Sequence, residues 1–180
     1  MQASYVALLR GVNVGGKNKL PMKELAEMFV AAGCRDVRTY IQSGNVVFRA
    51  GTGVVTKISR VIASGISDRF GFKSPVVLRS AEEIQTVVAG NPFLAKSTND
   101  DGLHVMFLAD HPAADAVAAL DPSRSPGDSF IVRGRDIYLH LPNGAGVSKL
   151  TNAYFDSKLS TVSTGRNWRT VTTLLEMMNG

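Results

Sequence analysis

The residues best equipped for chemistry lie together near the start of the chain, in Arg10-Gly-Val-Asn-Val-Gly-Gly-Lys-Asn-Lys-Leu-Pro21. Arg10, Lys17 and Lys19 bring positive charge, and Asn13 and Asn18 bring amide donors and acceptors. Gly11, Gly15 and Gly16 let the backbone bend sharply and approach a ligand closely. An apolar run from Tyr5 to Leu9 precedes the stretch and an amphipathic segment follows it, so the loop joins a strand to a helix. A helix start leaves N–H groups without intrahelical partners, and anions settle on such groups. The chemistry implied is recognition of an anion, most often a phosphate.

The spacing Gly11-x-x-x-x-Gly16-Lys17 stops one residue short of a P-loop. Asn18 stands where that motif needs Ser or Thr to hold magnesium, and no later strand ends in a magnesium-binding Asp. An ordinary P-loop NTPase is therefore rejected. Pro21 suits the first helical position, where its missing N–H costs nothing. Leu20 would then stand at the cap and cannot cap, so the first N–H groups stay open to Asn18, water or a ligand. The competing account is a plain glycine-rich turn with solvated lysines.

The elements that must position this loop follow from periodicity. Tyr5 to Leu9 is apolar without alternation and predicts a strand buried on both faces. Met22, Leu25, Met28, Phe29 and Ala32 recur at helical spacing, and Gly33 stops the helix. Two strands, Val37 to Gln42 and Asn45 to Arg49, flank Ser43-Gly44, a hairpin signal. A helix carrying Val54, Ile58, Val61, Ile62, Ile66 and Phe70 comes next, weakened in its middle by Gly65. Pro75 to Arg79 is a strand, and Ser80 with Glu83 forms the capping box of a short helix. This is the β-α-β-β-α-β order of a ferredoxin-like lobe. In that topology the loop after strand one and the turn between strands two and three share one edge. Arg10, Asn13, Lys17 and Asn18 should therefore lie near Gln42, Ser43 and Asn45, with the Gly15-Gly16 backbone as the cradle for the ligand.

Asn91-Pro-Phe and the polar run Lys96 to Asp101 read as a hinge. The order then partly repeats: a strand at Leu103–Ala109, a short helix at Ala113–Leu120, and a hairpin of Ser129–Arg133 and Asp136–Leu141. Helical stretches at 152–159 and 168–178 close the chain. The expectation is an α+β protein of two ferredoxin-like βαββα(β) lobes with mainly antiparallel sheets and C-terminal helices. Its lobes would span 1–90 and 103–180, joined by a linker at 91–102. Thr164 reads as the cap of the last helix, with Arg166, Asn167, Trp168 and Arg169 around its first turn. Arg166 and Asn167 are the further ligand-binding candidates, closing the site if that helix folds back; a core tryptophan with acid-paired arginines is the alternative.

Three ordered motifs, Arg10–Asn18, Tyr40-Ile-Gln-Ser-Gly-Asn-Val-Val-Phe48 and Thr164-Gly-Arg-Asn-Trp-Arg-Thr-Val171, together resemble a bacterial domain-of-unknown-function family, the sixteen-ninety-seven family. The resemblance implies a two-lobe α+β protein standing alone in the cytoplasm, and it brings no activity and no catalytic residues with it. Gly165 departs from the third motif, where a residue with a side chain is expected.

Composition narrows the alternatives. With 44% hydrophobic and 19% charged residues and a net charge of +5, the chain is an ordinary globular protein with a modest preference for acidic partners. One cysteine, Cys34, excludes an internal disulfide framework and a Cys-clustered zinc site. His104, His111 and His140 lack metal-ligand spacing, so neither metal nor cofactor is expected. The third strand offers only Phe48 where an RNA-recognition motif needs several aromatics, which leaves nucleic acid a secondary candidate. Ser43 lacks a His–Asp relay, so a hydrolase triad has no support. No run is long enough to span a membrane, and the start lacks a signal-peptide pattern, so the expected setting is cytoplasmic, as a monomer or weak homodimer. The function expected is binding of a phosphorylated or other anionic small ligand, nucleotide-like, at Arg10–Asn18. An enzyme acting on a nucleotide or phosphoryl group, or an RNA- or protein-binding module, stands as the alternative.

Overall fold

The computed structural model describes residues 2–97 and 99–180. Strands β1 (Ala3–Leu9), β2 (Arg35–Tyr40), β3 (Asn45–Ala50) and β4 (Val76–Ser80) alternate with helices α1 (Met22–Ala31), α2 (Thr52–Phe70) and α3 (Ala81–Ala89). The strands form one antiparallel sheet in the order β2-β3-β1-β4. The remaining elements repeat the sequence of types: β5 (Leu103–Leu108), α4 (Ala114–Ala118), β6 (Ser129–Arg133), β7 (Asp136–His140), α5 (Asn152–Leu159), β8 (Ser163–Asn167) and α6 (Trp168–Asn179). Their sheet is antiparallel in the equivalent order β6-β7-β5-β8. The duplication suggested by the sequence is thus complete at the level of topology.

The chain divides into two compact units, one of residues up to Gln85 with Leu174–Gly180, the other Thr86–Thr173. In the first, period-two alternation sends Ala7, Leu9, Val46 and Phe48 to one sheet face. Leu25 and Phe29 of α1 and Ile58, Ile62 and Ile66 of α2 meet them there, each helix contributing a stripe at three- and four-residue spacing. Gly65 has a packing reason that sequence alone did not show: a Cβ there would lie 2.7 Å from Met28 Cε, so the bare backbone admits α1. Val6 and Leu8 face the other way and are equally buried, as the unbroken apolar run of β1 requires.

One local expectation holds to the atom. Ser80 N–H donates to Glu83 Oε2 at 2.8 Å and Glu83 N–H donates to Ser80 Oγ at 3.2 Å, closing the capping box of α3. The second unit gathers Met106, Leu108, Ile137, Leu139 and Phe155 into its own core.

Two expectations are corrected. Pro21, in extended conformation, is the cap of α1 rather than its first residue, and the helix begins at Met22. Ser163–Asn167 is a strand, not a helix start. It pairs with β5, placing Arg166 opposite Val105 and Asn167 opposite His104, so the partner strand overrides the local capping signal of Thr164. The cap of α6 is Asn167, whose Oδ1 accepts from Thr170 N–H at 2.8 Å.

Candidate functional site

The loop between β1 and α1 is a small hairpin. Asn13 N–H donates to Asn18 O at 3.0 Å, and Lys17 N–H donates to Val14 O at 3.0 Å across a bridge pairing Val14 with Lys17. Gly15 and Gly16 sit between them with φ of 57° and 73°, the positive values that a two-residue hairpin turn demands. Nothing lies within 4 Å of where a Cβ would stand on either glycine, and Val14 to Lys19 are all exposed. The tip therefore projects into solvent, unlike a P-loop wrapped against its helix.

Asn13 clamps the base of this hairpin. Its Nδ2 donates to Leu20 O at 2.9 Å and to Gln42 O at 2.8 Å, and its Oδ1 accepts from Leu20 N–H at 2.8 Å. Both amide hydrogens are thus committed. Asn18 Nδ2 donates to Gly11 O at 2.9 Å, tightening the same ring. Arg10 is half-buried, with its N–H donating to Pro75 O at 3.1 Å and its carbonyl accepting from Ser74 Oγ at 2.8 Å.

The turn at residues 41–44 stands against the end of β1. Leu9 N–H donates to Gly44 O at 2.9 Å, and a Cβ on Gly44 would lie 2.7 Å from Leu9 Cβ. Asn45 is fully buried; its Nδ2 donates to Tyr40 O at 3.1 Å and to Ser43 Oγ at 3.0 Å. The topology thus brings the Arg10–Asn18 loop to Gln42, Ser43 and Asn45, through the Asn13–Gln42 bond. It also divides the labour: Asn13, Asn18 and Asn45 build the frame, while Gly15, Gly16 and Lys17 face solvent. Sequence reading gave all of them to the ligand because a committed amide and an open one look alike in sequence.

One residue at this edge escaped the sequence analysis. Ile41 adopts φ of 47° and is half exposed. A β-branched side chain is seldom found in that left-handed region. Its only sequence signal is the following Gln-Ser-Gly, which forces a tight turn.

Arg166 and Asn167 lie in the second unit. Side chains alternate along β8, so Thr164 and Arg166 share one face, Gly165 and Asn167 the other. Arg166 is about nine-tenths buried, and its Nη1 donates to Thr164 Oγ1 and Gly165 O, each at 2.8 Å. Burial pulls its pKa down to about 10. Trp168 is buried as the core anchor of α6. On the other face His104, Met106, Leu139 and Gly165 line a cavity of about 270 Å³. Burial lowers the His104 pKa, partly offset by the Gly102 carbonyl 3.4 Å from its Nδ1. His104 pairs with Leu139 while Leu103 pairs with His140, so the two imidazoles occupy opposite faces. Among the described residues no three His, Cys, Asp or Glu side chains are grouped to hold a metal, and no helix is long and apolar enough to cross a membrane.

Comparison with known proteins adds the family. The model of a family described as a protein of unknown function, DUF1697, matches residues 2–138. The chain belongs to that family. The match takes in the hairpin and the 41–44 turn and ends before the third motif, Thr164–Val171. A solved structure, titled as that of conserved bacterial protein SP0830 from Streptococcus pneumoniae, is similar with a TM-score of 0.69 and 20% identity over 99% of each chain. It shares the fold of this DUF1697 member. No curated protein matches.

Proposed function

We propose that this DUF1697 protein binds a phosphorylated or otherwise anionic small ligand, nucleotide-like in kind, at the Arg10–Asn18 hairpin, and that it does so in the cytoplasm. The observation that carries the reading is the division of labour in the loop. A frame of committed asparagines holds an exposed Gly15-Gly16 tip whose backbone is open to close approach, with Lys17 beside it. Lys17 neutralises the anion, the glycine backbone cradles it, and Arg10 at the hairpin base adds positive charge. Each unit is read as ferredoxin-like, which places such a loop at the sheet edge beside the β2–β3 turn.

Thermal unfolding against nucleotides, sugar phosphates and inorganic pyrophosphate, with Lys17→Ala alongside, tests the reading. A ligand at about a hundred times its dissociation constant adds roughly 2.7 kcal/mol, which for a chain of this size raises Tm by roughly 5–10 °C. The shift is expected for phosphorylated compounds and expected to shrink in Lys17→Ala. Equal shifts in both proteins, or none in either, would overturn the assignment. A second reading, a partner-binding module, draws on Val14 and Ile41, which are 62% and 50% exposed on the two neighbouring loops. It predicts no small-ligand shift at all.

A further inference from the structure

Val14 and Ile41 are not explained by anion binding. Elsewhere the exposed large apolar residues, such as Val30, Val61 and Val147, stand on separate elements and are ordinary for a protein surface. These two are different in placement. Val14 is bridged to Lys17, and cross-strand partners present their side chains on one face, so an apolar group and a cation lie side by side at the tip. Ile41 adjoins Gln42, whose carbonyl receives the Asn13 amide, and Val14 adjoins Asn13 itself. One hydrogen bond of 2.8 Å therefore ties the loop that carries Val14 to the turn that carries Ile41.

Ile41 is also held against its own preference. Its φ of 47° crowds a branched Cβ against the backbone, and a side chain that remains half exposed recovers little of that cost by burial. Asn, which tolerates this conformation, already occupies it at Asn13 and Asn18, with φ of 54° and 52°. An isoleucine stands where an asparagine would relax the turn.

We propose that Val14 and Ile41 form the apolar contact for the uncharged body of the ligand whose anionic head lies at Gly15, Gly16 and Lys17. The ligand class is then a phosphate whose anionic head is joined to an uncharged body with a flat apolar face, as the base offers in a nucleoside diphosphate. This rests on the anion-binding reading above and adds to it the two residues that select the body. Inorganic pyrophosphate would engage the head contacts alone.

The test measures dissociation constants for ADP and for inorganic pyrophosphate, by calorimetry, on the full chain and on Ile41→Asn, Val14→Ser and Lys17→Ala. Relief of the left-handed strain should raise the Tm of Ile41→Asn by about 2–4 °C. The same substitution should weaken ADP about fivefold, through loss of partial apolar burial, and leave pyrophosphate unchanged. Val14→Ser should weaken ADP selectively too, whereas Lys17→Ala should weaken both ligands. A variant that folds more stably yet binds the nucleotide less tightly is not what a structural isoleucine would give. If Ile41→Asn binds ADP as tightly as the parent, or melts lower, the apolar contact is wrong while the anion site stands. If the parent binds neither compound, the anion site fails and the contact falls with it.

Discussion

Replacing Asn13 by alanine is the most direct probe of the hairpin frame. The substitution removes three hydrogen bonds at once. The two part-buried bonds with the Leu20 backbone, at 2.9 and 2.8 Å, contribute about 1 kcal/mol each, and the more exposed one to Gln42 O about half that. Alanine must also hold the φ of 54° that asparagine tolerates, at about 1 kcal/mol. The sum is a loss of roughly 3.5 kcal/mol, or a fall in Tm of roughly 7–14 °C. Equilibrium unfolding in urea measures it, with the midpoint moving and the slope unchanged. Asn13→Asp sharpens the result. It keeps the acceptor for Leu20 N–H but turns a charged oxygen on the carbonyls of Leu20 and Gln42, so it should be no more stable than the alanine variant at neutral pH. A loss under about 1 kcal/mol for Asn13→Ala would refute the clamp and show that the hairpin opens independently of the fold.

Two further perturbations follow from close contacts and burial. Gly44→Ala places a Cβ 2.7 Å from Leu9 Cβ at a φ of 79°, so it should cost more than about 3 kcal/mol and, on proteolysis, expose the 41–44 turn. Burial pushes the Cys34 thiol from 9.0 up to about 11, so a thiol reagent should leave it intact in the folded protein and label it on unfolding. Because the unfolded thiol ionises first, its contribution to stability is fully present below pH 9 and is lost as pH climbs towards 11. Parallel unfolding of Cys34→Ala, which should lack that alkaline decline, checks the sign.

Much of the fold was legible because its signals are local. Ser80 and Glu83 announce their capping box, Gly134-Arg135 its hairpin, and the apolar run of β1 its burial on two faces. The failures share a cause in long-range partners. Ser163-Thr-Gly-Arg-Asn is polar and short, and only the open side of β5 makes it a strand. Thr164 looked like a cap because its hydroxyl suits one, while the residue that caps is Asn167, three places on. The edge shared by the hairpin and the 41–44 turn was legible from topology. Which side chains remain open there was not, since only the fold commits the amides of Asn13 and Asn45 to backbone and hydroxyl partners while Lys17 is left exposed.

The sheet order has a consequence for how the chain is made. In both sheets the first strand to be synthesised occupies an inner position, β1 between β3 and β4, β5 between β7 and β8. As the chain leaves the ribosome, the apolar β1 therefore keeps one edge open until Ser80 has emerged. β5 likewise waits for β8, which ends only at Asn167. For most of its synthesis the second sheet carries an uncovered apolar edge, the kind of surface that recruits stray strands. The polar strand that finally seals it follows every other strand of its sheet, so a ribosome that stalls short of residue 163 releases a chain with that edge exposed.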